Sequence, residues 1–503
     1  MKRYNYFYAA VCMMLASILN LQAQTSVTVT SAGTLKSKLP TDYMTSVTHL
    51  IVNGPLNGTD ILTIKSMREN LAILDLGNAQ IVKDDVNPYH VSGTTKYYTQ
   101  KNVIGDFMFY AMTSLTRVVM PKDVFSIGSW SDSYEDPWYT DNGVLKLNGH
   151  PNTRSASSSD TSYGCAAFSR CINLKEVVFP TALVYIGPKA FADCTSLTAI
   201  AIPEGVEFIG GYGFKGCVEL TTVSLPSTLN TKKILYDFDM WSNDYWGYTF
   251  FNCSKLSNVT LASGMTTLSP YIFQDCKALA SITLPNTLTT LKGGAFYGCT
   301  ALTELSIPAS VTSIESNCFQ GCAALTAMTL PEGIAQIGSY TFQDCTALTT
   351  FTMPNSVLSI GTYAFENCSS LSQITLSTEL NSIENGAFYK CIALTAITLP
   401  EKLMAINNSV FAYSGLKEIV LPASVMTIAG SAFSNCKELE RINLPANMMD
   451  IEEATFLNCE KLSDINLPSG LLTIKSEAFQ NCYALKKITL SALEIGRINR
   501  YEY

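Results

Sequence analysis

The cysteines of this chain recur at a fixed spacing, and this period limits the possible folds more than any other feature. Seven of them, from Cys253 to Cys391, follow one another at intervals of 23 residues without a slip. Each copy resembles Ile337–Ile360, IGSYTFQDCTALTTFTMPNSVLSI, in which Phe342 precedes Cys345 by three residues. A fixed period of this length is typical of a solenoid, in which each repeat packs on its neighbours.

Each repeat contains one strand pattern. The motif Leu-x-x-Ile-x-Leu alternates apolar and polar residues as a half-buried strand does, and the following proline ends the strand because it lacks an N–H group for the sheet. We predict an α/β leucine-rich repeat solenoid: parallel strands stacked at a 23-residue period, short turns or helical pieces between them, and an N-terminal cap. About fifteen repeats are centred on Met112, Cys171, Cys194, Cys217, Cys253, Cys276, Cys299, Cys322, Cys345, Cys368, Cys391, Ser414, Cys436, Cys459 and Cys482.

The N-terminal residues 1–23 have the features of a secretory signal peptide. Lys2 and Arg3 precede an apolar run from Tyr6 to Leu19, and the segment ends at Ala23. We therefore expect an exported protein that is secreted or held at the cell surface. No later segment has the apolar length of a membrane-spanning helix, so we expect no membrane span.

The remaining chain divides into three predicted regions: a cap at 24–100, the solenoid at 101–490, and a C-terminal tail at 491–503. Within the cap, Leu71–Leu76 predicts a strand and Asp60–Glu69 a short helix. A terminal unit of this kind hides the apolar end of a stack of repeats. We expect a monomer, with weak self-association through the C-terminal end of the stack as the alternative.

The repeat sequence resembles that of a known family. The motif Ile-Gly-x-x-Ala-Phe-x-x-Cys-x-x-Leu-x-x-Ile-x-Leu-Pro, nearly complete at Ile186–Pro203 and Leu291–Pro308, resembles the BspA-like leucine-rich repeats of bacterial surface antigens. The cap segment Val52–Asp60, VNGPLNGTD, is similar to the segment that precedes the repeats in many of them. The resemblance implies adhesion to host matrix proteins, epithelial cells or other bacteria, and it supplies no catalytic motif.

The repeated cysteines are predicted to be core residues. The chain has 16 cysteines, and thirteen of them occupy the same repeat position. An exported chain with many cysteines ordinarily suggests disulfides, and stacked equivalent residues about 4.8 Å apart lie within disulfide reach. Thirteen such residues cannot all pair, however, and Ser414 replaces one of them. We therefore favour small buried thiols over a disulfide ladder.

Two insertions interrupt the period, at residues 129–164 and 235–247. Cys171 follows Met112 by 59 residues, one period and 36 more, and the repeat that ends at Cys253 contains 13 extra residues. Both segments enter between the Ile-Gly and Ala-Phe parts of a repeat. We expect them to leave the solenoid on the same side, about 14 Å apart.

The insertions hold the predicted ligand-binding residues. They contain all four tryptophans of the chain, and exposed Trp and Tyr side chains anchor both sugars and protein partners. The alternative is that these rings pack the insertions onto the solenoid. The predicted binding residues are Trp130, Tyr134, Trp138, Tyr139, Tyr236, Trp241, Tyr245 and Trp246.

A second surface competes with the insertions. The residue two positions before each proline is Ser or Thr through eight consecutive repeats, and such a row offers hydroxyl groups to a sugar or a peptide backbone. Threonine also favours strands and stacks on itself, so the row has a purely structural explanation. Its members are Ser224, Thr260, Thr283, Ser306, Thr329, Thr352, Thr375 and Thr398.

Catalysis is not expected. The chain has no G-x-S-x-G, H-E-x-x-H or phosphate-binding loop, and we predict no cofactor and no metal site. The formal charge of −8, without a basic cluster, argues against nucleic acid as a partner. We predict a recognition protein that binds an extracellular protein or glycan. A glycosidase using Glu135 or Asp136, and a purely structural surface protein, are the alternatives.

Overall fold

The computed structural model describes residues 24–128, 165–229 and 247–486, together with the backbone of 138–141 and 144–147. The predicted signal peptide and the C-terminal tail lie outside the described residues. The chain forms two compact units. The first comprises Met1–Pro137 and Asn148–Leu197, and the second comprises Trp138–Leu147 and Thr198–Tyr503.

Short strands dominate both units. Among the described residues, helix occurs only in the cap, as α1 (Leu35–Lys38), α2 (Tyr43–Ser46) and α3 (Gly58–Lys65). The strands up to Leu197 are β1 (Gln24–Thr28), β2 (His49–Leu56), β3 (Ile73–Asp75), β4 (Ala79–Ile81), β5 (His90–Ser92), β6 (Thr95–Tyr97), β7 (Val103–Ile104), β8 (Arg117–Val119), β9 (Ser126–Ile127), β10 (Trp138–Asp141), β11 (Val144–Leu147), β12 (Glu176–Val178) and β13 (Tyr185–Ile186). The later strands are β14 (Ala199–Ala201), β15 (Phe208–Ile209), β16 (Thr222–Leu225), β17 (Asn258–Leu261), β18 (Thr267–Leu268), β19 (Thr290–Leu291), β20 (Ser313–Ile314), β21 (Ala327–Thr329), β22 (Gln336–Ile337), β23 (Thr350–Thr352), β24 (Ser359–Ile360), β25 (Gln373–Thr375), β26 (Ser382–Ile383), β27 (Ala405–Ile406), β28 (Glu418–Val420), β29 (Thr427–Ile428), β30 (Arg441–Asn443), β31 (Asp450–Ile451), β32 (Asp464–Asn466) and β33 (Thr473–Ile474).

The first unit is built on a parallel sheet in the order β1-β2-β3-β8-β12, with β4 also paired to β2. Leu50 of β2 lies opposite Leu74 of β3, which lies opposite Val118 of β8. All three side chains are buried, so successive strands place one apolar row in the core. The strands β5 and β6 form an antiparallel hairpin outside this sheet.

The cap helix α3 starts earlier than the sequence pattern predicts. The predicted helix spans Asp60–Glu69, whereas α3 runs from Gly58 to Lys65. The Asn57 side chain accepts hydrogen bonds from the N–H groups of Thr59 and Asp60, and the Asp60 carboxylate accepts one from the Asn57 N–H. This capping box satisfies the free N–H groups at the helix start.

The second unit repeats two parallel strands per 23 residues. In one sheet, Met328, Phe351 and Ile374 lie opposite one another on β21, β23 and β25. In the other, Ile337, Ile360 and Ile383 are aligned on β22, β24 and β26. The register equals the sequence period, and the predicted parallel-strand solenoid is confirmed. The described repeats connect their strands by turns rather than by helical pieces.

The core of the second unit contains a continuous stack of phenylalanines. Twelve rings stack on one another with centroid separations of 5.2 to 5.9 Å and interplanar angles of 4° to 25°. Each repeat thereby covers the apolar face of the one before it. The rings belong to Phe214, Phe250, Phe273, Phe296, Phe319, Phe342, Phe365, Phe388, Phe411, Phe433, Phe456 and Phe479.

The repeated cysteines lie beside this stack. Cys345 is buried, and its Sγ donates a hydrogen bond to the carbonyl oxygen of Phe319 at 3.2 Å. That carbonyl also accepts the backbone N–H of Cys322 at 3.1 Å, so both of its lone pairs are used. The same S–H contact recurs for ten cysteines of the second unit at 3.0 to 3.4 Å, namely Cys253, Cys276, Cys299, Cys322, Cys345, Cys368, Cys391, Cys436, Cys459 and Cys482.

Candidate binding surfaces

The predicted binding residues lie largely outside the described part of the chain. Trp130, Tyr134, Tyr236, Trp241, Tyr245 and Trp246 belong to segments that the structure does not describe. The backbone of Trp138 and Tyr139 lies in β10, which pairs with β11 as an antiparallel hairpin. The first insertion therefore contains a strand pair, and the predicted roles of the eight aromatic residues stay predictions.

The Ser/Thr row occupies the outward face of the strands in the second unit. Thr329, Thr352 and Thr375 are exposed and lie in register on β21, β23 and β25. Further along, the same face carries charge, since Arg441 of β30 forms an ion pair with Glu418 of β28 at 2.7 Å. The face thus changes from hydroxyl groups to paired charges along the unit.

A row of tyrosines forms a second candidate surface, which the sequence analysis did not identify. These residues lie two positions before the core phenylalanine of their repeats and are half-buried. Tyr212 stacks on Tyr248 with centroids 4.9 Å apart, and Tyr248 stacks on Tyr271 at 4.7 Å. Periodic alignment of the repeats reveals the row, which comprises Tyr212, Tyr248, Tyr271, Tyr340 and Tyr363.

The tyrosines of this row have left-handed backbone conformations. Their φ angles lie between 50° and 61°, a region that costs a bulky L-residue about 1–2 kcal/mol. The other residues at this repeat position, such as Gly294 and Asn317, have positive φ as well. The turn imposes the conformation, and the stacking of the rings offsets part of its cost in free energy.

The second insertion adjoins the beginning of this row. The described chain resumes at Gly247, whose carbonyl accepts the N–H of Tyr212 at 3.1 Å. The Nζ atom of Lys215 lies 5.3 Å from the centroid of the Tyr212 ring and 5.6 Å from that of Phe251. A cation and stacked aromatic rings are therefore present where the insertion returns to the solenoid.

The phenol group of Tyr271 is protonated at neutral pH. The pKa of Tyr271 is raised, chiefly by burial and also by the neighbouring Tyr297. At neutral pH its hydroxyl group can both donate and accept hydrogen bonds. Tyr271 therefore offers a hydrogen-bonding group rather than a charge.

The first unit contains a separate cluster around His90. Its imidazole lies 5.0 Å from the Phe107 ring and 5.4 Å from the Tyr97 ring, measured between centroids. Burial, with a contribution from the charge of Lys65, lowers the pKa of His90 to about 4. Lys65 donates to the carbonyl oxygens of Tyr89 and Phe107, and burial lowers its pKa to about 8.

Within the described segments, no group of three or more His, Cys, Asp or Glu side chains is arranged to hold a metal ion. None of the helices that the structure describes is long and apolar enough to cross a membrane.

The repeats match a known family. The model of the BspA type leucine-rich repeat region (6 copies) matches residues 157–236, 246–346, 312–439 and 381–503, which together cover more than half of the chain. The chain belongs to this family. No curated protein matches it.

The solved structures that match the chain include other leucine-rich repeat proteins. One from Bacteroides ovatus ATCC 8483 is 21% identical, with 85% of this chain and 92% of that chain covered and a TM-score of 0.59. A T. pallidum leucine-rich repeat protein is 33% identical over 32% of this chain and 77% of that one, with a TM-score of 0.31. A leucine-rich cell surface protein from Faecalibacterium prausnitzii A2-165 is 25% identical over 83% and 91%, with a TM-score of 0.38. The similarity to the B. ovatus protein supports the fold.

Membership of the BspA-type family indicates a scaffold role. Leucine-rich repeat proteins are typically non-enzymatic binding scaffolds, in which the repeats present exposed side chains at a regular spacing. In this BspA-type chain the described repeats present two such arrays, the Ser/Thr row and the tyrosine row.

Proposed function

We propose that this protein is an exported recognition protein that acts at the cell surface or in the medium and binds an extracellular protein or glycan. Its ligand contacts the two insertions, through the eight aromatic residues named above. The repeats hold the tyrosine row in place, as expected of a scaffold with long loops.

The contact of Gly247, the last residue of the second insertion, with Tyr212 carries this proposal. The stacked rings of Tyr212, Tyr248 and Tyr271, with Lys215 beside them, lie where the insertion rejoins the repeats. Aromatic residues and a cation are enriched at protein-binding hot spots, and rings with a few polar groups also suit sugars. The Ser/Thr row is uniform over many repeats and offers less to distinguish one ligand from another.

Substitutions in the two surfaces test the proposal. A glycan and matrix-protein array first identifies a ligand, and its affinity is then measured for Trp138→Ala and Trp241→Ala. We expect each variant to bind about thirtyfold more weakly and to melt at nearly the wild-type temperature, because an aromatic anchor contributes about 2 kcal/mol.

Thr329→Lys and Thr352→Lys on the strand face are the matched controls, and we expect little change in affinity. Loss of binding in these variants would place the ligand on the Ser/Thr row. Early melting of the tryptophan variants would instead assign the rings a packing role.

A further inference from the structure

Four consecutive repeats near the end of the described chain expose an apolar side chain at the same position. This position immediately precedes the strands β27, β29, β31 and β33. Its side chains are 60% to 66% exposed. Threonine occupies the same position in earlier repeats, at Thr266, Thr289 and Thr312. The exposed residues, which we call the apolar row, are Met404, Met426, Met449 and Leu472.

Backbone hydrogen bonds hold neighbours of the apolar row side by side. The N–H of Met426 donates to the carbonyl oxygen of Met404 at 2.9 Å, and the N–H of Leu472 donates to that of Met449 at 2.6 Å. Equivalent residues of stacked strands lie about 4.8 Å apart, so the row is about 14 Å long. Ile474 beside it is 39% exposed, although the isoleucines at its position in the preceding repeats are buried. The apolar surface therefore extends to the last described repeat.

The apolar row is too small to hold two copies of the protein together. Four such side chains expose on the order of 400 Å², whereas each partner of a stable protein–protein interface buries about 800 Å². A surface of this size suits a short peptide segment rather than a folded partner.

The charges beside the apolar row favour a basic segment. Asp450 directly follows Met449, Glu401 precedes Met404 by three residues, and both carboxylates are exposed. No described basic side chain forms an ion pair with either of them. The lysines next to the row are already paired with glutamates of neighbouring repeats, as Lys402–Glu379 and Lys475–Glu452. Apolar side chains beside unpaired carboxylates suit a segment that has both apolar and basic residues.

The tail of this chain has that composition. Residues 491–503 lie outside the described part of the chain, and their sequence is SALEIGRINRYEY. Apolar or aromatic residues recur there at every third position, with an arginine directly before the second and the third of them. The residues of this pattern are Ile495, Arg497, Ile498, Arg500 and Tyr501.

One further period brings the tail to the apolar row. Ile495 follows Leu472 by 23 residues. Glu502 follows Phe479 by 23 residues, so the sequence after Ile495 lacks the ring on which another repeat would stack. In extended form the eight residues 496–503 span about 26 Å, which exceeds the row's length of about 14 Å. The tail is therefore long enough to run back along the whole row.

We propose that residues 491–503 bind along the apolar row of their own chain. Ile498 and Tyr501 cover the methionines, and Arg500 pairs with Asp450. The bound tail shields an apolar surface that is otherwise open to solvent. The apolar row lies outside both insertions, so the inference does not depend on the ligand proposed for them.

Methionine oxidation by hydrogen peroxide tests whether the apolar row is covered. Residues 24–503 are treated with peroxide for increasing times, and the sulfoxides of Met426, Met449 and Met44 are quantified by peptide mass spectrometry. Met44 lies in the cap, is 50% exposed and serves as the internal reference. Because the row is oxidised only while the tail is detached, we expect Met426 and Met449 to react about fivefold more slowly than Met44, or slower still.

Two variants remove the tail or its apolar contact. Deletion of residues 491–503 should raise the oxidation rates of Met426 and Met449 at least to that of Met44, because both are more exposed than Met44. Ile498→Asp keeps the length of the chain and should have the same effect. Asn499→Asp is the matched control, because it adds the same charge at a neighbouring position outside the apolar pattern. It should leave the protection unchanged.

A charge reversal tests the ion pair. Asp450→Lys should raise the oxidation of Met449 about threefold, as expected for loss of an exposed ion pair and its replacement by repulsion. Asp464→Lys makes the same change on β32, whose exposed residues belong to the other sheet, and should have no effect.

Three results would overturn the inference. In the first, Met426 and Met449 oxidise as fast as Met44 in residues 24–503. In the second, deletion of residues 491–503 leaves their protection unchanged. In the third, protection rises with protein concentration, which would identify a second copy as the occupant. If the deletion variant melts early, the comparison of Ile498→Asp with Asn499→Asp decides.

Discussion

At the scale of single residues, the cysteine position shows how side-chain chemistry sustains the repeat. A thiol is small enough to lie beside the stacked rings, and its S–H group uses the second lone pair of a phenylalanine carbonyl. Ser414, which replaces one cysteine, is also buried, and its Oγ lies 3.4 Å from the Sγ of Cys436. A serine can therefore occupy the cysteine position of the repeat, so this position does not require a disulfide.

These thiols should be reduced and unreactive in the folded protein. All fifteen cysteines from Cys165 onward are buried thiols rather than disulfides, and burial raises the pKa of Cys436 and Cys482 to about 11. Since the thiolate is the reactive form, a thiol reagent at pH 8 should label few of them before unfolding. In denaturant without reductant, nearly all should react. Recovery of only one or two thiols would support a disulfide ladder.

His90 should make the cap hairpin sensitive to acid. Its pKa is about 4 in the folded protein and about 6.5 in an unfolded chain, so the unfolded state binds more protons between these values. The stability contributed by neutral His90 is present above pH 6.5 and is lost as the pH falls toward 4. As the pH is lowered from 6.5 toward 4, the rate of amide hydrogen exchange in β5 and β6, corrected for its intrinsic pH dependence, should rise less in His90→Gln than in the wild type. An equal rise in both proteins would show that His90 does not cause the acid sensitivity.

At the scale of elements, the cap helix depends on one buried carboxylate. Asp60 is completely buried and accepts hydrogen bonds from the N–H groups of Gly33, Leu35 and Asn57 at 2.6, 2.9 and 3.1 Å. The Asp60 carboxylate therefore links α3 to α1 and to the turns that precede the two helices. The sequence showed a helical pattern here, but the contact of Asp60 with Gly33 and Leu35 is long-range and has no local signature.

Asp60→Ala should destabilise the first unit strongly. Three backbone N–H groups lose a charged acceptor, and we expect a loss of about 3 kcal/mol or more. This loss of stability is measured by denaturant unfolding, with hydrogen exchange in the cap as the readout. Asp42→Ala is the control, because Asp42 also precedes a helix but makes no capping hydrogen bond with its side chain. Similar losses in both variants would contradict the role given to Asp60.

The turns show which features of the repeat were predictable. The position before the cysteine has positive φ in every described repeat of the second unit, and Asn435 and Asn458 illustrate the residues that such a turn favours. Asn458 also donates to Asn435 at 2.8 Å, across neighbouring repeats. The tyrosine position has positive φ too, but tyrosine is unusual in this conformation. Its stacking therefore became evident only in the structure.

At the scale of the whole molecule, the 23-residue period determined most of the fold. Parallel strands, buried cysteines and an outward Ser/Thr row all follow from the spacing and the alternation within one repeat. The packing of the tyrosine row does not follow from them. In the sequence, Gly294 looks like ordinary variation at a turn, and only the structure shows that the ring of Tyr271 rests on it.

Deleting one complete period should leave the solenoid intact. Removing Lys277–Cys299 replaces each inter-repeat contact by an equivalent one, because nearest-neighbour contacts dominate a repeat protein. We expect a melting temperature close to that of wild type. Removing only residues 277–287 shifts the strands out of register and should lower it markedly. Equal melting of both variants, by circular dichroism, would be inconsistent with a 23-residue structural unit.

The proposed recognition by the insertions is tested most directly by deleting them. The wild-type protein and a variant without residues 129–164 and 235–247 are compared on one glycan and matrix-protein array. The deletions restore the uninterrupted period, so the variant should fold and melt as the wild type does. We predict that the wild type binds a defined set of ligands and that the folded variant loses them. A folded variant that keeps the wild-type binding pattern would contradict the proposal.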